Sequence, residues 1–182
     1  GPQLCTMDKV ASYCLTEPGS GSDAAALKTT AKREGDEFVL NGTKSFISGG
    51  GVSDLYIVMA RTGEEGPKGI SAFLVEKGTE GLSYGANEKK MGWNVQPTSE
   101  VVMNNVRVPA SNLLGTEGDG FKYAMKGLDG GRLNIAASAL GAAQAALDKT
   151  LSYMEERKAF GKSINQFQAL QFRLADMEIE LQ

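Results

Sequence analysis

The chain has 182 residues and a formal net charge of -3, with 19 basic and 22 acidic residues. This length allows one domain or slightly more. The basic residues form no dense cluster, which argues against a nucleic-acid binder. Apolar runs stay short of the roughly 20 residues that cross a bilayer, and the first residues lack the charged and apolar regions of a secretory signal. We therefore expect neither a membrane span nor a signal peptide.

Metal and nucleophile chemistry are restricted as well. The sequence contains no histidine and only two cysteines, Cys5 and Cys14. Two cysteines are too few for a disulfide framework, and the common zinc spacings need histidine or more thiols. Nucleophile pairs that use histidine are excluded too. We predict no metal site, two free thiols and, for any enzyme, chemistry that rests on carboxylates, hydroxyls or a cofactor.

The first two thirds of the chain predict β-strands. Runs rich in β-branched and aromatic residues are separated by Gly, Ser and Asp. They cover Val10–Thr16, Leu27–Arg33, Glu37–Ser48, Leu55–Arg61, Ile70–Val75 and Glu100–Val108. Asn41-Gly42, inside the third run, is a favoured two-residue turn and predicts a β-hairpin. Short strands with close turns favour an antiparallel barrel or sandwich over a parallel α/β sheet.

The last third predicts helices. Good helix formers follow a glycine-containing loop at 115–120, so we place a β-domain at 3–115 and a helical domain at 116–182. Two apolar stripes at helical spacing lie on either side of a break at Gly161: Leu140, Ala143, Leu147, Leu151, Met154, then Phe167, Leu170, Leu174, Met177, Leu181. The second stripe lacks a C-terminal cap, so we expect the helix to continue and further helices or a partner subunit to complete a bundle. The predicted class is α+β, an antiparallel β-barrel or sandwich domain followed by the first helices of a C-terminal bundle.

A loop of small residues follows the first predicted strand. The segment Tyr13-Cys14-Leu15-Thr16-Glu17-Pro18-Gly19-Ser20-Gly21-Ser22-Asp23 breaks the strand at Pro18 and then offers backbone amides and hydroxyls. On chemistry alone, an ordinary surface loop is the more frequent meaning of such a pattern. The string nevertheless matches the YxxTEPxxGSD signature of acyl-CoA dehydrogenases. Two further segments match in family order: Asn41 to Gly50 resembles NGxKxWITN, and Arg157 to Gln168 resembles RxxFGxxxxxxQ.

The resemblance to the acyl-CoA dehydrogenase family covers essentially the whole chain. It looks closest to the isobutyryl-CoA and related short branched-chain members, through Leu4 to Ala25 and Gly130 to Ala143. It implies FAD as cofactor, α,β-dehydrogenation of a short acyl-CoA, electron transfer to an electron-transferring flavoprotein, and a homotetramer. It also implies the mitochondrial matrix in a eukaryote or the cytoplasm in a bacterium.

The same resemblance implies roles for individual residues. Flavin contacts are implied for Tyr13, Cys14, Leu15, Thr16, Ser22, Phe46, Ile47 and Ser48, and, across a subunit boundary, for Arg157, Phe167 and Gln168. Acyl-CoA contacts are implied for Ser22, Asp129 and Arg132. Fixed amide and hydroxyl donors suit a flavin, because it gains negative charge on reduction.

This sequence departs from the commonest family pattern at two positions, where Phe46 and Ser48 replace Trp and Thr. Chemistry alone also leaves other interpretations open: a core aromatic for Phe46, a surface arginine for Arg157, and a plain helix crossing at Gly130-Gly131. The two adjacent glycines are expected to interrupt the helical region, where something approaches closely.

No catalytic base is assigned within the chain. Some family members carry a glutamate immediately before the arginine that corresponds to Arg132, and this chain has Gly131 there. In other members the glutamate lies later, which implies a base beyond Gln182. We therefore expect the 182 residues alone to be inactive and to bind flavin weakly. Two alternatives stay open: an oxidase-like flavoenzyme of the same superfamily, such as an acyl-CoA oxidase, and a non-catalytic ligand-binding β-domain.

Overall fold

The strands of the first two thirds form one mixed sheet in the computed structural model, which describes residues 2–182. A short helix α1 (Pro2–Cys5) precedes them. The strands are β1 Ala11–Cys14, β2 Thr30–Glu34, β3 Glu37–Ser48, β4 Leu55–Arg61, β5 Ile70–Glu76, β6 Leu82–Tyr84 and β7 Thr98–Pro109. The strand order is β1-β4-β2-β3-β7-β6, and β5 pairs with β4 outside this path. The sheet belongs to a compact unit that ends at Lys126.

Most neighbouring strands are antiparallel, as the sequence predicts. The two exceptions involve β4, which pairs in parallel with β1, from Ala11 opposite Leu55 to Cys14 opposite Val58, and with β2 at Thr30 opposite Arg61. The long strand β3 is flanked on both sides by antiparallel partners, β2 and β7. A sheet unit followed by helices confirms the predicted α+β class.

The hairpin predicted at Asn41-Gly42 is wrong, because β3 runs without a turn through both residues. The two-residue turn lies instead at Gly35-Asp36, between β2 and β3, where Gly35 adopts a φ of 63°. Asn41 Oδ1 accepts the amide hydrogen of Asn105 at 2.8 Å, next to a register shift in the β3–β7 ladder. Gly42 has a φ of 150°, and a Cβ there would lie 2.8 Å from Thr29 Cα. The Asn-Gly pair therefore serves a bulge and a close backbone approach.

The hydrophobic core of this unit lies on the inner face of the sheet. Phe38 and Phe73 meet with ring centroids 4.9 Å apart, and both side chains are buried. The rest of the core is aliphatic or aromatic and comes from every strand except β6, with Leu40, Tyr56, Val58, Val75, Val101 and Val106 fully buried. Cys14 and Ile47 belong to the same cluster, which constrains how either can meet a ligand.

The second unit, Gly127–Gln182, is helical. Helix α2 (Gly120–Glu156) begins in the first unit, and α3 (Gln168–Leu181) follows a small hairpin of β8 (Lys158–Ala159) and β9 (Lys162–Ser163). This hairpin turns at Phe160 and Gly161, both with positive φ, which confirms the predicted break.

The expected interruption at Gly130-Gly131 is wrong, because α2 continues through both glycines. An ion pair between Asp129 and Arg132, 2.8 Å apart, spans them on the helix surface. Of the first predicted apolar stripe, Leu147 and Met154 are buried, whereas Leu140 and Leu151 remain exposed. None of the helices within residues 2–182 is long and apolar enough to cross a membrane. The domain boundary placed after residue 115 stays a prediction.

Replacing Gly42 by alanine should lower the free energy of unfolding by on the order of 3 kcal/mol, because the new methyl group would overlap Thr29 in a backbone conformation that L-residues disfavour. Gly35→Ala is the matched control. It also has a positive φ but no neighbour within 4 Å, and it should cost about 1 kcal/mol. Urea denaturation followed by circular dichroism measures both losses. Equal losses would contradict the close approach of Thr29.

Candidate functional site

The segment after β1 and the second half of β3 are joined at the backbone. Between Lys44 and Ile47 the pairing of β3 with β7 shifts register, and Phe46 adopts a left-handed φ of 58°. At this irregularity the amide of Ser45 donates to the carbonyl of Thr16 at 2.8 Å. Left-handed φ in a bulky residue is uncommon and concentrates at functional sites. The bulge thus brings two of the sequence motifs into direct contact.

A buried ion pair fastens the same junction. Lys44 Nζ lies 2.8 Å from Glu17 Oε1 and donates to the carbonyl of Leu15 at 3.1 Å. The Lys44 side chain is 0% exposed and that of Glu17 is 7% exposed. The Glu17 carboxylate also accepts the backbone amides of Lys28 at 2.7 Å and Thr29 at 2.9 Å. One ion pair therefore connects three chain segments, and removal of one partner would leave an uncompensated buried charge.

The surroundings of this pair favour an ionised carboxylate. Burial alone would raise the pKa of Glu17. This effect is outweighed by the charge of Lys44 and by hydrogen bonds from Lys44, Thr29 and the Lys28 amide, which lower the pKa below its ordinary value of 4.5. Burial lowers the pKa of Lys44, and the Glu17 charge opposes that shift.

Burial raises the pKa of the nearby Cys14 thiol to about 12. Cys14 is therefore a protonated core residue without nucleophilic character.

The sequence-predicted residues of the β-rich unit divide into buried and accessible ones. The side chains of Cys14, Leu15 and Ile47 are 0%, 6% and 2% exposed, so only their backbone atoms can meet a ligand. Tyr13, Ser22, Phe46 and Ser48 are exposed, and Thr16 is half-buried. We call Tyr13, Thr16, Phe46 and Ser48 the β1–β3 surface.

Unused hydrogen-bond donors occur on the β1–β3 surface. Within residues 2–182, neither the Thr16 amide and hydroxyl nor the Ser48 hydroxyl has an intramolecular partner. The carbonyl of Ser48 is held by the Ser12 hydroxyl at 2.7 Å, and Ser12 in turn lies 2.8 Å from the Ser53 hydroxyl. Fixed, unpartnered donors beside an exposed aromatic ring fit a planar heteroaromatic ligand with hydrogen-bond acceptors at one edge.

Tyr13 and Ser22 lie at the two ends of the loop motif. The Tyr13 hydroxyl donates to the carbonyl of Ala124, at the start of α2, at 3.1 Å. Burial of the Tyr13 hydroxyl raises its pKa to about 12. The loop itself is braced by the backbone pairing of Glu17 with Ser20 and by the Ser20 hydroxyl on the Asp23 carbonyl at 2.7 Å. Ser22 is left at the exposed side of a defined loop.

The predicted residues of the helical unit form two groups. Asp129 and Arg132 are exposed and paired with each other. Arg157, Phe167 and Gln168 lie around the β8–β9 hairpin, where the carbonyl of Arg157 accepts the amide of Ile164 at 2.9 Å. Phe167 packs against the Phe160 ring and under the Lys162 ammonium, 4.4 Å from its ring centroid. The Arg157 guanidinium makes no ion pair with any acidic residue in the described range.

Sequence reasoning missed the ion pair itself. Both Glu17 and Lys44 stand inside the quoted motifs, yet neither was given a role. The available signal was a lysine in the middle of a strand whose apolar residues are buried, because an unpaired lysine is almost never found there.

The family description "Acyl-CoA dehydrogenase, middle domain" matches residues 12–106, and "Acyl-CoA dehydrogenase, C-terminal domain" matches residues 118–182. The chain belongs to the acyl-CoA dehydrogenase family. This confirms the resemblance carried by the three motifs.

Individual relatives support the same assignment. Mitochondrial isobutyryl-CoA dehydrogenase of Bos taurus is 58% identical over 180 residues, which cover 99% of this chain and 43% of the relative. Butyryl-CoA dehydrogenase from Megasphaera elsdenii has a TM-score of 0.95 at 46% identity, over 98% of this chain and 47% of that one. A glutaryl-CoA dehydrogenase from Mycobacterium smegmatis in complex with FADH2 has a TM-score of 0.90 at 37% identity, over 99% of this chain and 45% of that one. The chain spans less than half the length of each.

The buried ion pair should make the stability of the chain depend on pH. Since the folded pKa of Glu17 lies below 4.5, the pair stabilises the fold above that value, and its contribution is lost as the pH falls through the folded pKa. Between about pH 5 and about pH 3, the free energy of unfolding should fall further in the unmodified chain than in the double variant Glu17→Gln/Lys44→Met. Urea denaturation at several pH values measures this difference.

The exposed ion pair of Arg107 with Glu34, at 2.8 Å, provides the control. Its double variant Arg107→Gln/Glu34→Gln should keep the pH dependence of the unmodified chain, because exposed pairs contribute little. The same slope in all three proteins would contradict a stabilising role for ionised Glu17.

Proposed function

We propose that this chain is the flavin-binding and acyl-CoA-binding part of a longer FAD-dependent acyl-CoA dehydrogenase. The observation that carries the proposal is the β1–β3 surface, where unused donors of Thr16 and Ser48 stand beside the exposed ring of Phe46. Family membership and the relative solved with FADH2 support FAD as the ligand. FAD, when bound, supplies the hydride acceptor that protein side chains cannot provide.

Within this proposal the residues of the β1–β3 surface bind and orient the flavin. The amide and hydroxyl of Thr16 and the hydroxyl of Ser48 would donate hydrogen bonds to the flavin. Phe46 covers the ring in place of the more common tryptophan. Leu15 and Ile47 contribute only backbone groups, because their side chains lie in the core. The Cys14 side chain is also in the core, so Cys14 likewise contributes only backbone groups.

The substrate is a short, branched acyl-CoA thioester, and the reaction is α,β-dehydrogenation. This assignment rests on the similarity to isobutyryl-CoA dehydrogenase over 99% of the chain. Ser22, Asp129 and Arg132 contact the acyl-CoA. The α-proton is taken by a carboxylate that belongs to sequence beyond Gln182, so the 182 residues alone are inactive.

The assembly is a homotetramer in which Arg157, Phe167 and Gln168 contact the dinucleotide of a neighbouring subunit. A guanidinium without an intramolecular carboxylate partner suits a pyrophosphate. An electron-transferring flavoprotein accepts the electrons. The compartment is the mitochondrial matrix for a eukaryotic protein and the cytoplasm for a bacterial one.

The deciding experiment is turnover of the full-length protein with FAD, an artificial electron acceptor and a panel of isobutyryl-, butyryl- and isovaleryl-CoA. Selective turnover of isobutyryl-CoA would support the complete proposal. Turnover that needs no acceptor other than oxygen would indicate an oxidase. Flavin binding without turnover of any thioester would refute the dehydrogenase assignment.

Phe46→Ala should weaken FAD binding by about tenfold, since loss of one aromatic stacking contact costs about 1 kcal/mol or more. The free energy of unfolding should change little, because Phe46 is 65% exposed. Flavin fluorescence titration measures the affinity. Met7→Ala is the control, since Met7 is 72% exposed and also has a positive φ of 61°. Equal FAD affinity of the two variants would contradict a flavin contact by Phe46.

Gly130→Ala should stabilise the chain by about 1 kcal/mol, because glycine in a helix interior is less favourable than alanine by that amount and no atom lies within 4 Å of the added Cβ. If acyl-CoA approaches α2 here, the same variant should raise the KM for acyl-CoA in the full-length enzyme. Gly141→Ala, in the same helix and equally open, is the control. An increased stability with unchanged KM would indicate that Gly130 does not face the substrate.

A further inference from the structure

The two ends of the Leu15–Thr16 peptide group lie in different environments. Its carbonyl accepts a hydrogen bond from the fully buried Lys44 ammonium at 3.1 Å. Its N–H, on Thr16, has no acceptor within residues 2–182. All described peptide bonds are trans, and in a planar trans peptide the C=O and N–H point in opposite directions. The Thr16 N–H is therefore directed away from the buried ammonium, at a residue that is only half-buried.

The neighbouring peptide groups prevent this one from rotating. The carbonyl of Thr16 accepts the Ser45 amide at 2.8 Å, and the amide of Glu17 donates to Ser20 at 2.9 Å. The carboxylate of Glu17 holds Lys44 in place at 2.8 Å. The direction of the Thr16 N–H is thus set by buried contacts before any ligand arrives.

The charge on Lys44 also affects the strength of this donor. A cation on a carbonyl oxygen polarises the peptide group, and hydrogen bonds in series strengthen one another in a medium of low dielectric constant. The Thr16 N–H consequently carries more positive charge than an ordinary amide, although the Lys44 side chain itself is completely enclosed.

We propose that Lys44 and Glu17 are positioning residues that act on the bound flavin through the Leu15–Thr16 peptide group, so that the Thr16 N–H binds the reduced flavin more tightly than the oxidised flavin. This inference rests on the proposed flavin site. A polarised donor favours the more negatively charged form of its ligand, which for a flavin is the reduced one. A pair that only tied the segments together would affect both forms equally.

The test uses the double variant Lys44→Met/Glu17→Gln in the full-length protein. This variant removes both charges without leaving one of them buried alone. Val106→Ala is the control for general destabilisation, because Val106 is fully buried in β7 and pairs with Leu40 away from the peptide group. The midpoint potential of bound FAD and the affinity for oxidised FAD are measured in all three proteins.

We expect the affinity for reduced FAD to fall about tenfold more than that for oxidised FAD in the double variant, which lowers the midpoint potential by about 30 mV. Val106→Ala should leave the potential unchanged. Equal losses for the two forms would overturn the proposal. Should the methionine variant fail to fold, Lys44→Gln/Glu17→Gln keeps neutral hydrogen-bonding groups at both positions and should shift the potential in the same direction.

A flavin-free measurement separates this inference from the proposed function. In the ¹⁵N-labelled 182-residue chain, the Thr16 amide proton should shift upfield in the double variant and stay in place in Val106→Ala. An unmoved Thr16 resonance would refute the positioning role even if FAD binds. Failure of the unmodified full-length protein to bind FAD would instead refute the flavin site, while the amide shift still decides whether Lys44 acts on Thr16.

Discussion

The candidate site depends on one buried ion pair. Lys44 and Glu17 would each be too costly to bury alone, so each requires the other. Glu17 in turn requires the amides of Lys28 and Thr29, and Lys44 requires the carbonyl of Leu15. The result is a buried polar cluster that cannot be satisfied unless the loop after β1, the residues just before β2 and the middle of β3 are correctly placed. Because of this pair, the chain reaches its stable fold only when the segments that form the site are in place.

The bulge at Phe46 follows from this constraint. The Ser45 amide bonds to Thr16 where the pairing of β3 with β7 shifts register, and the left-handed φ at Phe46 is the local cost. The neighbouring Ile47 returns to the core and ends the distortion. Two exposed residues, Phe46 and Ser48, are consequently presented by a strand whose intervening residue is anchored. A site built this way keeps its donors fixed without requiring the ligand to order them.

Six of the seven strands of the sheet and both helical segments could be predicted from residue patterns, because β-branched runs and apolar spacing reflect burial directly. The remaining strand, β6, has only three residues and is too short to show such a pattern. The Asn41-Gly42 hairpin could not be corrected from sequence, since the same dipeptide suits a tight turn and a bulge, and only Thr29 and Asn105, which are distant in sequence, decide between them. The continuity of α2 through Gly130-Gly131 could not be predicted from these two residues for a similar reason. Two glycines weaken a helix only modestly, and the long helix α2 around them supplies the remaining stability.

The motifs located the site, but they could not say which side chains face a ligand. The alternation of a strand assigns Cys14 and Ile47 to the core only when the register is known, and register depends on pairing partners rather than on the motif. The roles of individual residues remain predictions, whereas the division into buried and accessible ones is a property of the fold.

The two thiols differ in accessibility, so the reactivity of the buried one can report local detachment of β1 from the sheet. Cys5 is exposed, whereas Cys14 is sealed at 0% exposure on the strand that leads into the loop motif. A thiol-reactive dye will therefore modify Cys5 at once and Cys14 only when β1 separates from the sheet. In a Cys5→Ser background, the modification rate of Cys14 would measure how often the strand beneath the site detaches, without any label placed on the site itself.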